Sequence, residues 1–161
     1  VANFQENCSG WQFDREESYD ISVARFQLTN GSTYIDLPKE LKGKKACVNV
    51  KNNDNKCYAA AIAVAILRRK KNAERYDDEL KRFMKTLIWE GIELPANPWK
   101  ASEKFKRNNP GHAINVYEYY EYEKDENQRL SILRVSDKMC ESKNKIINLL
   151  LYSNDETNHY V

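Results

Sequence analysis

A thiol stands at the head of the most apolar run in this chain. Cys57 follows Asn52-Asn53-Asp54-Asn55-Lys56 and opens Cys57-Tyr58-Ala59-Ala60-Ala61-Ile62-Ala63-Val64-Ala65-Ile66-Leu67. Polar amides and an acid before an unbroken apolar stretch mark the first turn of a buried helix. There, unpaired backbone N–H groups and the positive end of the helix dipole favour the thiolate, the nucleophilic form of cysteine. A base must take the thiol proton, and His159, opening His159-Tyr160-Val161 after the polar stretch 154–158, has the right chemistry. The other imidazole, His112, follows Pro110-Gly111 at a turn and is expected to face solvent.

Acyl transfer also needs donors for the oxyanion. The Cys57 backbone N–H is one candidate, and the side-chain amide of Asn52, Asn53 or Asn55 is a second. Asp54 is expected to cap the helix. The group that orients the imidazole is left open: Thr157 and Val161, two positions either side of His159, are not acids, while Asp155 and Asn158 are available in the adjoining loop.

The elements that must hold these groups follow from periodicity. Alternation over residues 19–28 predicts a strand, 29–32 a turn, 34–38 a short extended piece, and 45–50 a second strand leading to the nucleophile. The Cys57 helix should run to about residue 69, a second helix should span 73–89, and a third 98–107, before the turn Asn108-Asn109-Pro110-Gly111. Residues 114–122, 130–135, 146–153 and 158–161 read as strands of a meander-like antiparallel sheet. In 117–122, Tyr and Glu alternate as on an edge strand with one buried face. Residues 1–17 form a poorly structured lead-in carrying Trp11 and Phe13, and 18–161 a single α+β domain.

Composition limits the function classes. The 161 residues are 41% hydrophobic and 31% charged, enough for one core. Twenty-six basic and 24 acidic residues give a net charge of +2, so no overall field favours nucleic acid or membrane. The basic clusters 42–45, 68–71 and 100–107 read as solvated faces and helix ends. Cys8, Cys47, Cys57 and Cys140 lie far apart, with no histidine at metal-ligand spacing, so neither a metal site nor a cofactor is expected. Reduced thiols in an intracellular monomer, cytoplasmic or nuclear, are the expectation.

Taken as a set, several motifs carry a resemblance. They are Tyr34-Ile35-Asp36-Leu37-Pro38, the run from Val48 to Tyr58, Glu90-Gly91-Ile92-Glu93-Leu94-Pro95, Asn109-Pro110-Gly111, Ile114-Asn115-Val116-Tyr117, Ile147-Asn148-Leu149-Leu150-Leu151 and His159-Tyr160-Val161. Together they resemble a region ahead of the DNA polymerase in large self-synthesising transposons of animals. That region looks like the viral tegument-like deubiquitinases, cysteine proteases related to herpesviral large tegument proteins. The resemblance implies a papain-like fold, with a central nucleophile-bearing helix on an antiparallel sheet. It further implies cleavage after the C-terminal Gly-Gly of ubiquitin or ubiquitin chains, with Cys57 as nucleophile and His159 as general base. The chain departs from the pattern at Ala60, where relatives carry Trp, and at Thr157, where herpesviral relatives carry Asp. A weaker likeness to ovarian-tumour-type deubiquitinases rests on Asp54-x-x-Cys57, with Asn55 in place of their glycine. The rival expectation is a catalytically inactive, protease-like binding module of a transposon polymerase polyprotein, contacting DNA or a protein partner.

Overall fold

An Ala-rich segment without a polar side has nowhere to sit but inside the protein. In the computed structural model, which describes residues 34–120, 129–135, 146–153 and 158–161, Cys57–Leu67 is such a helix, with every residue from Cys57 to Val64 buried. Its small side chains let neighbours approach from both sides. Tyr58, Ala61 and Ile62 pack towards a sheet, while Ala59, Ala60, Ala63 and Val64 pack against Val50, Leu80 and Met84. The helix stops at Arg68, whose left-handed backbone (φ 50°) returns its N–H to the Val64 carbonyl.

Four helices are described: α1 Lys39–Lys44, α2 Cys57–Leu67, α3 Asp78–Met84 and α4 Pro98–Asn108. The first was not anticipated; it starts directly after Pro38 and ends at Lys45 in the left-handed region. The helix expected over 73–89 shrinks to α3 because Asp77 caps it, accepting the Leu80 N–H at 2.9 Å. The preceding turn is tied elsewhere, through Lys51 N–H to the Glu74 carbonyl and the Tyr76 hydroxyl to Asp54. Leu80 and Met84 are still buried as the spacing requires. In α4, Asn97 accepts the N–H groups of Trp99 and Lys100 at 3.1 Å each, Pro98 occupies the first turn, and Phe105 is fully buried against Trp89 with ring centroids 5.0 Å apart.

The strands β1 Ala113–Tyr119, β2 Leu130–Arg134, β3 Ile146–Ser153 and β4 Asn158–Tyr160 form one sheet in the order β2-β1-β3-β4. The antiparallel expectation is corrected here: β1 and β3 run parallel, flanked by antiparallel β2 and β4. The chain passes from β2 at one edge to the far side of β1, which makes β1 an interior strand. Tyr117 and Tyr119 therefore belong to a covered face of an inner strand. The fold is α+β.

Alternation along the strands gives the sheet two apolar faces. Ile114, Val116, Ile147, Leu149, Leu151 and Tyr160 meet α2 and α4. Tyr119, Leu150, Tyr152 and Val161 meet Leu37 on the other side. Residues 45–50, expected as a strand, have no ladder partner among the described residues and run instead as an irregular segment, with Val50 packed against α2. The strand and turn expected over 19–32, and the lead-in over 1–17, lie outside the described residues. No described helix is long and apolar enough to cross a membrane.

Two outcomes test this architecture. Phe105→Ala removes a fully buried ring and should destabilise the protein by about 3–5 kcal/mol in denaturant unfolding. The Asp77 carboxyl is held down to about 2, first by the Arg69 guanidinium and then by the Leu80 N–H. Its folded value lies below the ordinary value of about 3.9, so its contribution is present above pH 4 and is lost as the pH falls towards 2. Asn caps nearly as well, so Asp77→Asn isolates the charge: its melting temperature should lie below that of the wild type at pH 6, and the gap should close between pH 4 and pH 2.

Candidate active site

Cys57 is the first residue of α2, and the cap position before it is Lys56, whose side chain makes no capping bond. The expectation that Asp54 caps the helix is therefore corrected. Asp54 accepts the Lys56 N–H at 3.1 Å and the Tyr76 hydroxyl at 2.8 Å, closing a turn one step before the helix. With no carboxylate at the cap, the dipole at the head of α2 is not offset by a capping anion. The Asn52 amide donates to the Asp54 carbonyl and, at 3.3 Å, to its carboxylate, so Asn52 shapes this turn. Asn53 and Asn55 are exposed side chains of the same turn. The first-turn main-chain N–H groups of α2 lack intrahelical acceptors, as at the start of any helix.

His159 lies on β4, fully buried, with Nε2 2.9 Å from Asn49 Oδ1. The Asn49 Nδ2 donates to the Ile35 carbonyl at 2.8 Å, which fixes the amide so that its oxygen faces the ring. An acceptor opposite Nε2 sets the proton on that nitrogen and makes Nδ1 the basic one. Asn49 is a partner of the His159 ring that was not among the candidates drawn from the neighbouring loop. Asn158 stands at the start of β4 opposite Ser153, and Asp155 lies outside the described residues. Asn49 escaped the sequence reading because it is remote from His159 in the chain and is one asparagine among several before Cys57. Only folding singles it out.

The heads of α2 and β4 come together through their neighbours. Tyr58 and Tyr160 meet edge to face, with centroids 5.0 Å apart at 73°. Burial, then the charges of Tyr58 and Cys57, push the Tyr160 hydroxyl well above its ordinary range. Further along, Ala61 and Ala65 of α2 and Val161 beyond β4 line one cavity of about 540 Å³. Cys57 precedes Ala61 by four residues on the same stripe, a rise of about 6 Å. His159 precedes Val161 by one strand repeat on the same side, about 6.6 Å away. Neither Cys57 nor His159 lines that cavity. Cys57 packs with Tyr160 on the α2 side of the sheet, and His159 alternates with Tyr160 along β4. Both residues are covered: Cys57 is 1% exposed, His159 0%, and the Tyr34 ring meets the imidazole edge to face at 6.2 Å.

The remaining candidates take structural places. His112 is half-buried, with Nδ1 3.3 Å from the Asn109 carbonyl and its ring against Phe105. Among the basic clusters, Lys42 pairs with Asp36, Arg69 with Asp77 and Glu79, and Lys104 donates to the Gly91 carbonyl. Burial pushes the half-buried Cys47 thiol up, away from the reactive thiolate. Among the described residues no cluster of three or more His, Cys, Asp or Glu forms a metal site. No known protein family, curated protein or solved structure matches the chain.

The tautomer is open to direct measurement. Long-range ¹H–¹⁵N spectra of ¹⁵N-histidine-labelled protein should show the His159 proton on Nε2, and Asn49→Leu should abolish that preference while His112 stays unchanged. A proton on Nδ1 in the wild type would remove Asn49 as orienting group.

Proposed function

We propose that the chain is a papain-like cysteine hydrolase that cleaves ubiquitin after its C-terminal Gly-Gly. The observation that carries the hydrolase reading is the Asn49–His159 bond, which presents the imidazole in the tautomer a cysteine nucleophile needs. The choice of ubiquitin rests on the motif resemblance. In the reaction, Nδ1 of His159 takes the Cys57 proton and the sulfur attacks the carbonyl carbon of the terminal glycine. First-turn N–H groups of α2 stabilise the oxyanion. The imidazolium then protonates the leaving amine, and a water, deprotonated by the same nitrogen, hydrolyses the thioester.

A buried sulfur cannot meet a protein tail until the covering chain moves. Tyr34, packed over His159 and held by its N–H to the Asn52 carbonyl, is the described side chain that must swing aside. The same burial favours the second reading, an inactive protease-like module that uses its surface to hold DNA or a protein partner of a polymerase polyprotein.

Ubiquitin with an electrophilic C-terminus separates the two. The wild type should form a covalent adduct and Cys57→Ala none. His159→Ala should lower the labelling rate on the order of 10²-fold or more, and Asn49→Ala should slow it to a smaller extent. Tyr34→Ala should speed labelling by uncovering the ring. A folded wild type that forms no adduct overturns the hydrolase, and salt-sensitive DNA binding in that case selects the module.

A further inference from the structure

We propose that residues 146–149 of β3, with the cavity beside them, dock one extended strand of another polypeptide, which pairs antiparallel with β3 in line with β4. β1 accompanies β3 from Ile146 to Tyr152. On the opposite side β4 covers only the far end of β3, and its ladder closes with the two bonds that Val161 exchanges with Leu150, both at 2.9 Å. Alternate residues of a strand turn their main-chain groups to the same side. The N–H and C=O of Asn148 and Ile146 therefore point where those of Leu150 do, and among the described residues no strand meets them there. Asn148 is exposed although it belongs to an inner strand. Its side chain leans over β1, where Oδ1 accepts the Asn115 amide at 3.0 Å, and so leaves the edge open.

The cavity of about 540 Å³ lies against this edge: Asn148, Leu149, Leu150 and Val161 all line it. Main-chain donors and acceptors at strand spacing are matched by another main chain at the same spacing, the mode of recognition by strand addition. The guest's side chains find places on both faces of the sheet. A residue opposite Leu149 joins Ala61 and Ala65 on the α2 side, and the next, opposite Asn148, joins Leu41 and Val48 on the α1 side. Alanine on α2 leaves room there for a branched apolar side chain. No described segment of the chain takes the place, since residues 46–48 line the cavity but run outside the ladder. Continuity with β4 sets the direction, because an antiparallel guest prolongs the existing ladder without a change of sense. Neither Cys57 nor His159 lines the cavity, so the slot is separate from the proposed chemistry.

Amide hydrogen exchange of the full chain, read by NMR, tests this with the blocked peptide acetyl-Thr-Val-Thr-Val-Thr-amide as guest. Without it, the Asn148 amide should exchange faster than those of Ile147 and Leu149, which face β1, by on the order of tenfold or more. Saturating peptide should slow Asn148 by a similar factor and leave Ile147 and Leu149 unchanged. Methylating one alternate set of the peptide's amide nitrogens should abolish the protection, and methylating the other set, which faces away from β3, should preserve it. Ala65→Trp should block the peptide while retaining the far-ultraviolet spectrum. Cys57→Ala should bind as the wild type does, so failure of the hydrolase reading leaves this result untouched. An Asn148 amide already as slow as Leu149 in the free protein, or protection that ignores which set is methylated, would overturn the proposal. Protection by the same peptide fused after Val161, with none from the free peptide, would assign the slot to a strand of the same chain and so would also overturn it.

Discussion

Everything in this protein is arranged around the need to hide a helix that is apolar on all sides. A helix with one polar face can lie on a surface, covered from a single direction. α2 has no such face, so the sheet and α4 cover one side of it while Val50, α3 and the turn before it cover the other. Alanine at five of its positions keeps the walls close. The same constraint buries its first residue, which is why the thiol lies away from open solvent.

Position at the helix head and burial pull in opposite directions on a cysteine. Helix N–H groups favour the thiolate, while an apolar surrounding disfavours any charge. The buried imidazole of His159 is fixed in its orientation by a neutral partner. Asn49 provides that fixity at modest cost: its amide is neutral, adds no second buried charge, and is itself anchored on the Ile35 carbonyl. An aspartate there would have demanded compensation for its own desolvation. The aromatic pair Tyr58–Tyr160 ties α2 to β4, with the Tyr58 hydroxyl on Ser102 and the Tyr160 hydroxyl on the Ala96 carbonyl. Ser102 lies on α4 and Ala96 just before it, so α2 and β4 are both tied to the same region by buried hydrogen bonds as well as by packing.

Much of the fold was legible where a local signal had no competitor. α2 began at the expected residue and ended two short of the expected end, and α4, β2 and β3 fell within a residue or two of their expected bounds. Periodicity misled where tertiary hydrogen bonds intervened. Residues 73–89 carry helical spacing, yet Asp77 starts the helix late and the preceding turn is bonded to the 51–54 region. Residues 45–50 alternate like a strand, yet the sheet gains its inner strands from β1 and β3 and leaves that segment outside the ladder.

By itself the sequence determined a buried helix headed by Cys57, a histidine-bearing strand late in the chain, and an α+β layout, because each follows from patterns a few residues long. It did not determine the parallel pairing of β1 with β3, the closure of the site by Tyr34, or Asn49 as the residue bound to His159. These depend on which distant segments come to lie side by side. Several asparagines crowd the approach to Cys57 and are equivalent as local chemistry; only the packed chain brings one of them to within 2.9 Å of the imidazole.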